Sequence, residues 1–331
     1  MKIIELFSGI GGMHFALKGS DVEGEVVLAV DINPVANKIY TYNFPDVKQL
    51  SRNIQSLSAD FLNSFRADTI LMSPPCQPFT RNGLKGDMND SRTSALMHIL
   101  DILPKLKVSN VLIENVKGFE ISNMRNVLIQ VLKKCNFTFQ EFLLNPMDLG
   151  IPNSRLRYYC LAKKHPQKFS FDVRPVMDHL PIEVFKDTNF GIENILVAAD
   201  TDTYLLPMNL LHKYWKLLDI CFTGSKRSCC FTKAYGRYVE GTGSVFSKIS
   251  EIECEEILNR LKADEDIDKS YKEYLLKSLN VRYFTPLEVS RLLCFPDTLK
   301  FPEGLSDRQK YMVLGNSINV KIVSKLINLL K

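Results

Sequence analysis

The segment around Cys76 is the first candidate for chemistry. The sequence reads Pro74-Pro75-Cys76-Gln77-Pro78, directly after an apolar run at residues 69–72. A residue before proline is pushed out of the helical region, so this loop is expected to be extended and stiff. A cysteine held there, at the carboxyl end of a strand, could act as a nucleophile, although burial is the commoner fate of a free thiol. A zinc deaminase site is excluded, because it needs a second cysteine three residues on, where Phe79 stands.

The second candidate is a glycine cluster that could hold a nucleotide. Residues 7–12 read Phe-Ser-Gly-Ile-Gly-Gly, between a predicted strand and a predicted helix. Asp31 ends the next apolar run, 31 − 12 = 19 residues after the last glycine, which suits a carboxylate that accepts from ribose hydroxyls. The glycine spacing differs from the dinucleotide fingerprint. We therefore expect a different nucleotide-like ligand, with a tight turn that binds nothing as the alternative.

An acid and two arginines complete the set. Glu114 follows the apolar run at residues 108–113, so it would face the same crevice as Cys76 and could act as an acid. Arg155 and Arg157 are two residues apart on a predicted strand, so both point to one face and could grip a phosphate or a carbonyl. An ordinary surface glutamate and a solvated strand face are the alternatives.

Short apolar runs alternate with helical patterns over the first half of the chain. Strands are predicted at 2–7, 25–30, 69–72, 108–113, 137–144 and 157–162, and helices at 13–18, 34–42, 94–103 and 123–134. This alternation predicts an α/β fold with a doubly wound, mostly parallel sheet. Further helices are predicted at 251–268, 285–293 and 319–330. Residues 171–245 show no long periodic segment and predict a second, irregular domain.

Composition bounds the class of protein. The 331 residues are 45% hydrophobic and 24% charged, with a net charge of +5. That charge is too small to indicate nucleic-acid binding by itself. The eight cysteines include no Cys-x-x-Cys pair, so a zinc ribbon is excluded and free thiols in a reducing, cytoplasmic setting are expected. The sequence contains no run of about 18 apolar residues, so no membrane span is expected.

One segment combines positive charge with aromatic rings. Residues 223–239 contain four basic residues, no acid and three interleaved aromatic residues. Cations and aromatic rings suit single-stranded or splayed-out bases, although a flipped DNA base fits equally well. An ordinary packing segment is the alternative.

Six motifs of the chain resemble those of the cytosine-5 methyltransferase family, and they follow one another in the family's order. The resemblance covers nearly the whole chain, with Asn153 in place of a glutamine and Cys294 in place of a glycine. It implies a Rossmann-like methyltransferase domain at residues 1–170 and 305–331 and a smaller target-recognition domain at 171–304. The six motifs are residues 7–12, 74–77, 114–116, 153–157, 291–296 and 315–318.

The resemblance also implies roles for single residues. Cys76 would be the nucleophile, Glu114 would donate to the cytosine ring, and Arg155 and Arg157 would hold the base or a neighbouring phosphate. The donor would be S-adenosylmethionine, leaving as S-adenosylhomocysteine, and no metal is required. Asn53 stands where the family has an acid that contacts the donor adenine. The implied donor-site residues are Phe7, Ile10, Gly11, Gly12, Asp31, Ile32, Asn53, Ile54, Gln55, Ser73, Pro75, Asn316 and Ser317.

The segment at residues 230–244 is similar to that of the family branch that methylates tRNA. It implies that Lys233, Tyr235, Arg237 and Tyr238 contact tRNA, with tRNA-Asp and its cytosine 38 as the substrate. Duplex DNA would bind weakly or not at all, and the protein would act as a monomer in the cytoplasm, with a nuclear share left open. A DNA methyltransferase and a catalytically silent binding module are the competing hypotheses.

Overall fold

A seven-stranded sheet forms the centre of the protein. The structure is a computed structural model that describes residues 1–75, 94–183, 190–198, 201–263 and 268–331. The strand order is β3-β2-β1-β4-β5-β7-β6, and within this sheet only β7 runs antiparallel to its neighbours. The strands are β1 Lys2–Leu6, β2 Glu25–Asp31, β3 Gln49–Ser51, β4 Thr69–Met72, β5 Asn110–Val116, β6 Phe137–Leu144 and β7 Arg157–Lys164.

Helices cover both faces of this sheet, which confirms the doubly wound α/β prediction. One face packs against α3, α4 and α5 around Leu6, Ile70 and Ile113. The opposite face packs against α1, α2 and α11 around Ile3 and Leu112. The helices concerned are α1 Gly12–Lys18, α2 Pro34–Asn43, α3 Ala59–Asn63, α4 Ser94–Ile102, α5 Asn123–Lys134 and α11 Val320–Asn328.

The helix boundaries follow local sequence signals. Asn33 caps α2, where its side chain accepts hydrogen bonds from the backbone N–H groups of Val35 and Ala36, and Pro34 occupies the first turn. Ser122 caps α5 in the same way through Arg125 N–H. Among the predicted strands, the one at 108–113 is displaced, because β5 continues to Val116 and takes Glu114 into the ladder opposite Tyr159.

The remaining elements, apart from α10, which contacts both α2 and α9, form a smaller lobe. A three-stranded sheet, ordered β10-β9-β8, is surrounded by short helices. The predicted helix at 251–268 ends at Ala263 in its described part, and α6, α8 and α10 are additional helices that the sequence patterns did not predict. These elements are α6 Met208–Tyr214, β8 Ile220–Cys221, β9 Val245–Ser247, α7 Glu251–Ala263, α8 Lys269–Ser278, β10 Val281–Tyr283, α9 Pro286–Leu292 and α10 Asp307–Gly315.

One hydrophobic cluster continues from the main sheet into the smaller lobe. Ile3 and Leu112 of the sheet belong to the same cluster as Phe231, Tyr235 and Phe284. The two predicted domains therefore share a core, and the boundaries at residues 170/171 and 304/305 stay a prediction. No helix in the described part of the chain is long and apolar enough to cross a membrane.

Candidate active site

A cavity of about 600 Å³ opens where the parallel strands end. Residues that follow β1, β2, β3 and β4, together with residues near the end of β5, line it. Ligand sites of open α/β sheets lie at this edge, and a volume of this size suits a nucleotide-like ligand with room to spare. Twelve of the thirteen predicted donor-site residues line the cavity: Phe7, Ile10, Gly12, Asp31, Ile32, Asn53, Ile54, Gln55, Ser73, Pro75, Asn316 and Ser317.

The glycine loop is built for close approach. Phe7 lines the cavity with its backbone at φ +54°, a left-handed conformation that costs a bulky residue about 1–3 kcal/mol. A Cβ on Gly12 would lie 2.7 Å from Ile318, so only glycine lets the start of α1 pack against residues 315–318, the donor loop. Gly11 does not line the cavity. Its φ is +84° and a Cβ there would lie 2.5 Å from the Phe44 ring, so glycine is needed here for the turn and for packing against Phe44.

Asp31 connects β2 to this loop. Its two carboxylate oxygens accept hydrogen bonds of 2.8 Å from the backbone N–H groups of Gly9 and Asn33. Burial raises the pKa of Asp31, although these backbone donors oppose the shift. The next residue, Ile32, is 67% exposed and lines the cavity. The exposed Ile32 side chain could pack on a purine ring while the Asp31 carboxylate accepts hydrogen bonds from the ribose hydroxyls.

Asn53 supports its own turn. Its side-chain oxygen accepts from the backbone N–H of Gln55 at 3.0 Å, and its amide donates to the Gln55 side chain at 3.3 Å. Both residues line the cavity. The contact that Asn53 would make with an adenine stays a prediction.

Glu114 and Arg157 form an ion pair in the lining of the cavity. Arg157 Nε lies 3.5 Å from Glu114 Oε1, and both side chains are largely buried. Burial raises the pKa of Glu114, and this outweighs the opposing effect of Arg157 and Arg155. A carboxyl group that keeps its proton more readily can donate to a ring nitrogen. The pair therefore has the chemistry of an acid beside a cation that could hold an oxygen.

Arg155 lines the cavity and is also hydrogen-bonded to several parts of the protein. It is 3% exposed, and both terminal nitrogens donate to protein partners, which are the carbonyls of Phe231, Gly315 and Ser317 and the Cys230 sulfur. Because Arg155 lines the cavity and its Nε has no hydrogen-bond partner among the described residues, a contact of Arg155 with the base or a phosphate stays a prediction. Arg157 is the arginine whose guanidinium faces Glu114.

Cys230 is a polar group at this site that the sequence reasoning did not single out. Its sulfur accepts from Arg155 at 3.4 Å and from Arg157 at 3.7 Å. Burial would raise the pKa of the Cys230 thiol, but the two guanidinium groups outweigh it and lower that pKa. The signal was present in the sequence as a cysteine inside the basic-aromatic segment, but only the fold brings the two arginines to it.

Cys76 lies outside the described residues. Pro75, its predecessor in the sequence, lines the cavity, as does Ser73, whose hydroxyl donates to the Phe7 carbonyl at 3.3 Å. The nucleophile assignment therefore stays a prediction.

The four residues predicted to contact tRNA separate into two groups. Lys233 is exposed and lines the cavity, and Arg237 and Tyr238 are exposed, with the guanidinium 5.0 Å from the ring centre. Tyr235 is only 2% exposed, and its hydroxyl donates to Ser244 O and accepts from Phe284 N–H. The prediction of a direct Tyr235 contact is corrected, because this ring is part of the core.

Comparison with known proteins shows the family to which the chain belongs. The profile of the C-5 cytosine-specific DNA methylase family matches residues 1–331. The chain belongs to this family. It is 46% identical to a tRNA (cytosine(38)-C(5))-methyltransferase of Spodoptera frugiperda over 99% of this chain and 98% of the relative, and 41% identical to the human protein of the same name over 100% and 99%. A crystal structure of a Spodoptera frugiperda DNMT2 mutant superimposes with a TM-score of 0.90, at 46% identity over 99% of both chains.

The cavity fits the methyl donor of this family. Gly9 and Gly12 lie in the cavity lining, Asp31 offers a carboxylate, and Phe7 and Ile32 offer apolar surfaces. Ser8 adds a buried hydroxyl that lines the cavity and has no hydrogen-bond partner among the residues that the structure describes. An adenosine linked to an amino acid needs apolar walls, ribose acceptors and polar ends of this kind.

Proposed function

We propose that this protein transfers a methyl group from S-adenosylmethionine to carbon 5 of cytosine 38 in tRNA, with tRNA-Asp as the substrate. The observation that carries the proposal is the continuity of one cavity. It joins the Asp31 and Ile32 side to the Glu114–Arg157 pair and reaches Lys233 of the smaller lobe. The two relatives described above are named as tRNA (cytosine(38)-C(5))-methyltransferases, and they match nearly all of this chain.

S-adenosylmethionine, when bound, supplies an electrophilic methyl group on a sulfonium. Phe7 and Ile32 would hold the adenine between them, and Asp31 would accept from the ribose hydroxyls. Asn316 and Ser317 would close the opposite side. The protein's part is to bind and orient the donor and to exclude water from it.

Cytosine carbon 5 is too weak a nucleophile to react unaided. The Cys76 thiolate would add to carbon 6, which forms a carbon–sulfur bond and makes carbon 5 nucleophilic, while Glu114 donates a proton to ring N3. Arg157 would hold the exocyclic oxygen. Carbon 5 would take the methyl group as the methyl–sulfonium bond breaks and S-adenosylhomocysteine is left. Carbon 5 would then lose its proton to a base, the bond between carbon 6 and the Cys76 sulfur would break, and N3 would return its proton to Glu114. Covalent catalysis of this kind divides one difficult step into easier ones.

An unpaired loop base is a better fit than a paired one. The exposed Arg237–Tyr238 pair and Lys233 offer stacking and positive charge to a splayed base. Extruding a paired DNA base costs a few kcal/mol that a loop base does not require. With a net charge of +5, affinity for duplex DNA should be weak and salt-sensitive. Methylation of duplex DNA, from which the family takes its name, is the second candidate.

Side-by-side methyl transfer to tRNA and to duplex DNA at physiological salt tests the substrate. We expect tRNA to be preferred by orders of magnitude, with bisulfite sequencing placing the product at cytosine 38. Equal turnover on duplex DNA would establish the second candidate instead.

Covalent chemistry has its own test. A tRNA with 5-fluorocytosine at position 38 should trap the wild-type protein, because fluorine cannot leave as a proton. Cys76→Ala should form no adduct while still binding the donor. An adduct in Cys76→Ala would assign the nucleophile to another residue.

We also propose a monomer located in the cytoplasm. The support for the cytoplasm is the use of cysteine, since all seven cysteines in the described residues are free thiols, as a reducing compartment favours; the monomer is what the family resemblance implies. Light scattering of the purified protein and imaging of a tagged chain, which also measures any nuclear share, test the two parts.

A further inference from the structure

The side chain of Arg155 joins segments that are far apart in the sequence. One terminal nitrogen donates to Phe231 O at 3.2 Å, and the other donates to Gly315 O at 3.2 Å and to Ser317 O. These partners are 76, 160 and 162 residues away along the chain. The guanidinium is buried, so water does not compete for these bonds.

The joined segments face one cavity from two sides. Asn316 and Ser317 belong to the donor loop, whereas Lys233 belongs to residues 228–233, which we call the target loop. At the position that a Cβ on Gly315 would occupy, backbone atoms of Thr232 and Lys233 lie only 2.2 Å away. The donor loop and the target loop therefore touch directly, and a shift of either must be felt by the other.

The backbone that carries Arg155 is also fixed to the target loop. Ser154 N–H donates to Ser228 O at 2.9 Å, and the Asn153 amide donates to Cys229 O at 3.1 Å. The Ser228 hydroxyl donates back to Pro152 O at 2.6 Å. Arg155 thus extends from a segment aligned along the target loop and reaches across to the donor loop.

Only arginine can make this set of contacts. Its planar guanidinium presents five donors in fixed directions, whereas lysine presents three donors from one point. Three carbonyl acceptors on two loops can be reached together by a guanidinium group, whose donors are spread apart, but not by a single ammonium group. The Arg155 partners described here are carbonyls and a thiol, so its charge is satisfied by dipoles and by Cys230.

We propose that Arg155 is a positioning residue that couples occupancy of the donor site to the geometry of the target loop. The proposal rests on the proposed function, since it takes the cavity as the donor site and the target loop as part of the tRNA site. A donor that orders Asn316 and Ser317 then also orders residues 230–233 through Arg155, and tRNA acts in reverse by the same factor, because such coupling is reciprocal.

A binding cycle tests the coupling. The dissociation constant of tRNA is measured with and without saturating S-adenosylhomocysteine, in the wild type and in Arg155→Lys. We expect the wild type to bind tRNA about five-fold more tightly or better with the ligand present, the lower end of usual allosteric coupling. In Arg155→Lys the two constants should agree. Equal coupling in both proteins would overturn the proposal.

Arg125→Lys is the matched control. Arg125 also presents a fork, to Glu141 on β6, and neither residue lines the cavity. Its substitution should leave the coupling factor unchanged. If Arg155 were instead a ligand of the base, Arg155→Lys would weaken tRNA binding by the same factor with and without S-adenosylhomocysteine, which would also overturn the proposal.

A measurement on the wild type decides the matter if Arg155→Lys does not fold. S-adenosylhomocysteine should slow hydrogen exchange in a peptide that spans the target loop as well as in the donor loop. Protection confined to the donor loop would overturn the coupling. A wild type that binds neither ligand would refute the proposed function, whereas independent binding of both would refute only the coupling.

Discussion

Asp31 serves the cavity in two ways. It holds Gly9 and Asn33 by backbone hydrogen bonds of 2.8 Å, and its carboxylate is the acceptor proposed for the ribose. Asp31→Ala should weaken binding of S-adenosylmethionine by about 1.5–3 kcal/mol, the usual value of hydrogen bonds to a charged group. Calorimetry measures this directly. Ser58→Ala, which removes the cap of α3, should leave the affinity unchanged, and unchanged affinity in Asp31→Ala would remove Asp31 from the ribose role.

Glu5 is a buried acid that the sequence reasoning did not select. It lines the cavity from β1 and accepts from the Tyr40 hydroxyl at 3.0 Å. Burial raises the pKa of Glu5 from 4.5 to about 8, although the Tyr40 hydroxyl and the backbone N–H groups of His14 and Met13 oppose this, and the Asp31 charge adds to it. A carboxylate inside an apolar strand run was the signal in the sequence.

This shift makes stability depend on pH. The unfolded chain releases the Glu5 proton near pH 4.5, while the folded protein keeps it to about pH 8. Between these values the folded state binds more protons, so stability falls as pH rises, by at most about 1.4 kcal/mol per pH unit from this group. In Glu5→Gln this contribution is absent. The stability of the variant relative to the wild type, measured by urea unfolding, should increase from pH 5 to 8, and parallel profiles would contradict the assignment.

Buried polar contacts at the start of α9 connect this helix to β10 in the smaller lobe. Glu288 is 0% exposed and accepts from both terminal nitrogens of Arg282, at 2.7 and 2.8 Å, and from the Thr285 N–H at 2.8 Å. The backbone N–H of Glu288 in turn donates to the Thr285 hydroxyl oxygen at 3.2 Å. This capping box fixes the helix, while the ion pair fixes α9 to β10.

Removing one partner of that pair should be costly. Glu288→Gln leaves the Arg282 cation buried without its counter-charge, which typically destabilises by about 3–5 kcal/mol. The exposed pair Arg291–Asp297, at 3.2 Å, supplies the control, since Asp297→Asn should cost less than about 1 kcal/mol. Thermal and urea unfolding of both variants measure the difference, and equal losses would show that the buried pair has no special role.

At the scale of the whole molecule, residues 235–238 of the smaller lobe turn Tyr238 to solvent and keep Tyr235 in the shared core. Tyr238 is 55% exposed and Tyr235 is 2% exposed. Tyr238→Ala should weaken tRNA binding by about 1–3 kcal/mol, the usual loss of one stacked base, without changing the melting temperature. Tyr235→Phe, which loses two buried hydrogen bonds, should lower the melting temperature instead. The opposite pattern would exchange the roles of the two rings.

Local signals were sufficient for much of the fold and the donor side. Asn33-Pro34, the glycines at 9, 11 and 12, and apolar runs such as residues 69–72 act through neighbouring backbone, so the sequence predicted α2, the strand–helix turn and β4. The helices α6, α8 and α10 were not predicted, because their short apolar stripes are defined only by the lobe against which they pack.

The chemistry of the candidate active site shows what the sequence determined and what it could not. Residue types and order were enough to indicate the glycine loop at residues 7–12, a proposed nucleophile at Cys76 and an acid at Glu114. Tertiary structure alone decided that Arg157 faces Glu114, that Arg155 turns to the carbonyls of two distant loops, and that Cys230 lies between both arginines. These partners are 43 to 162 residues apart along the chain, and burial and charge act through space, so no local pattern can encode which arginine pairs with Glu114.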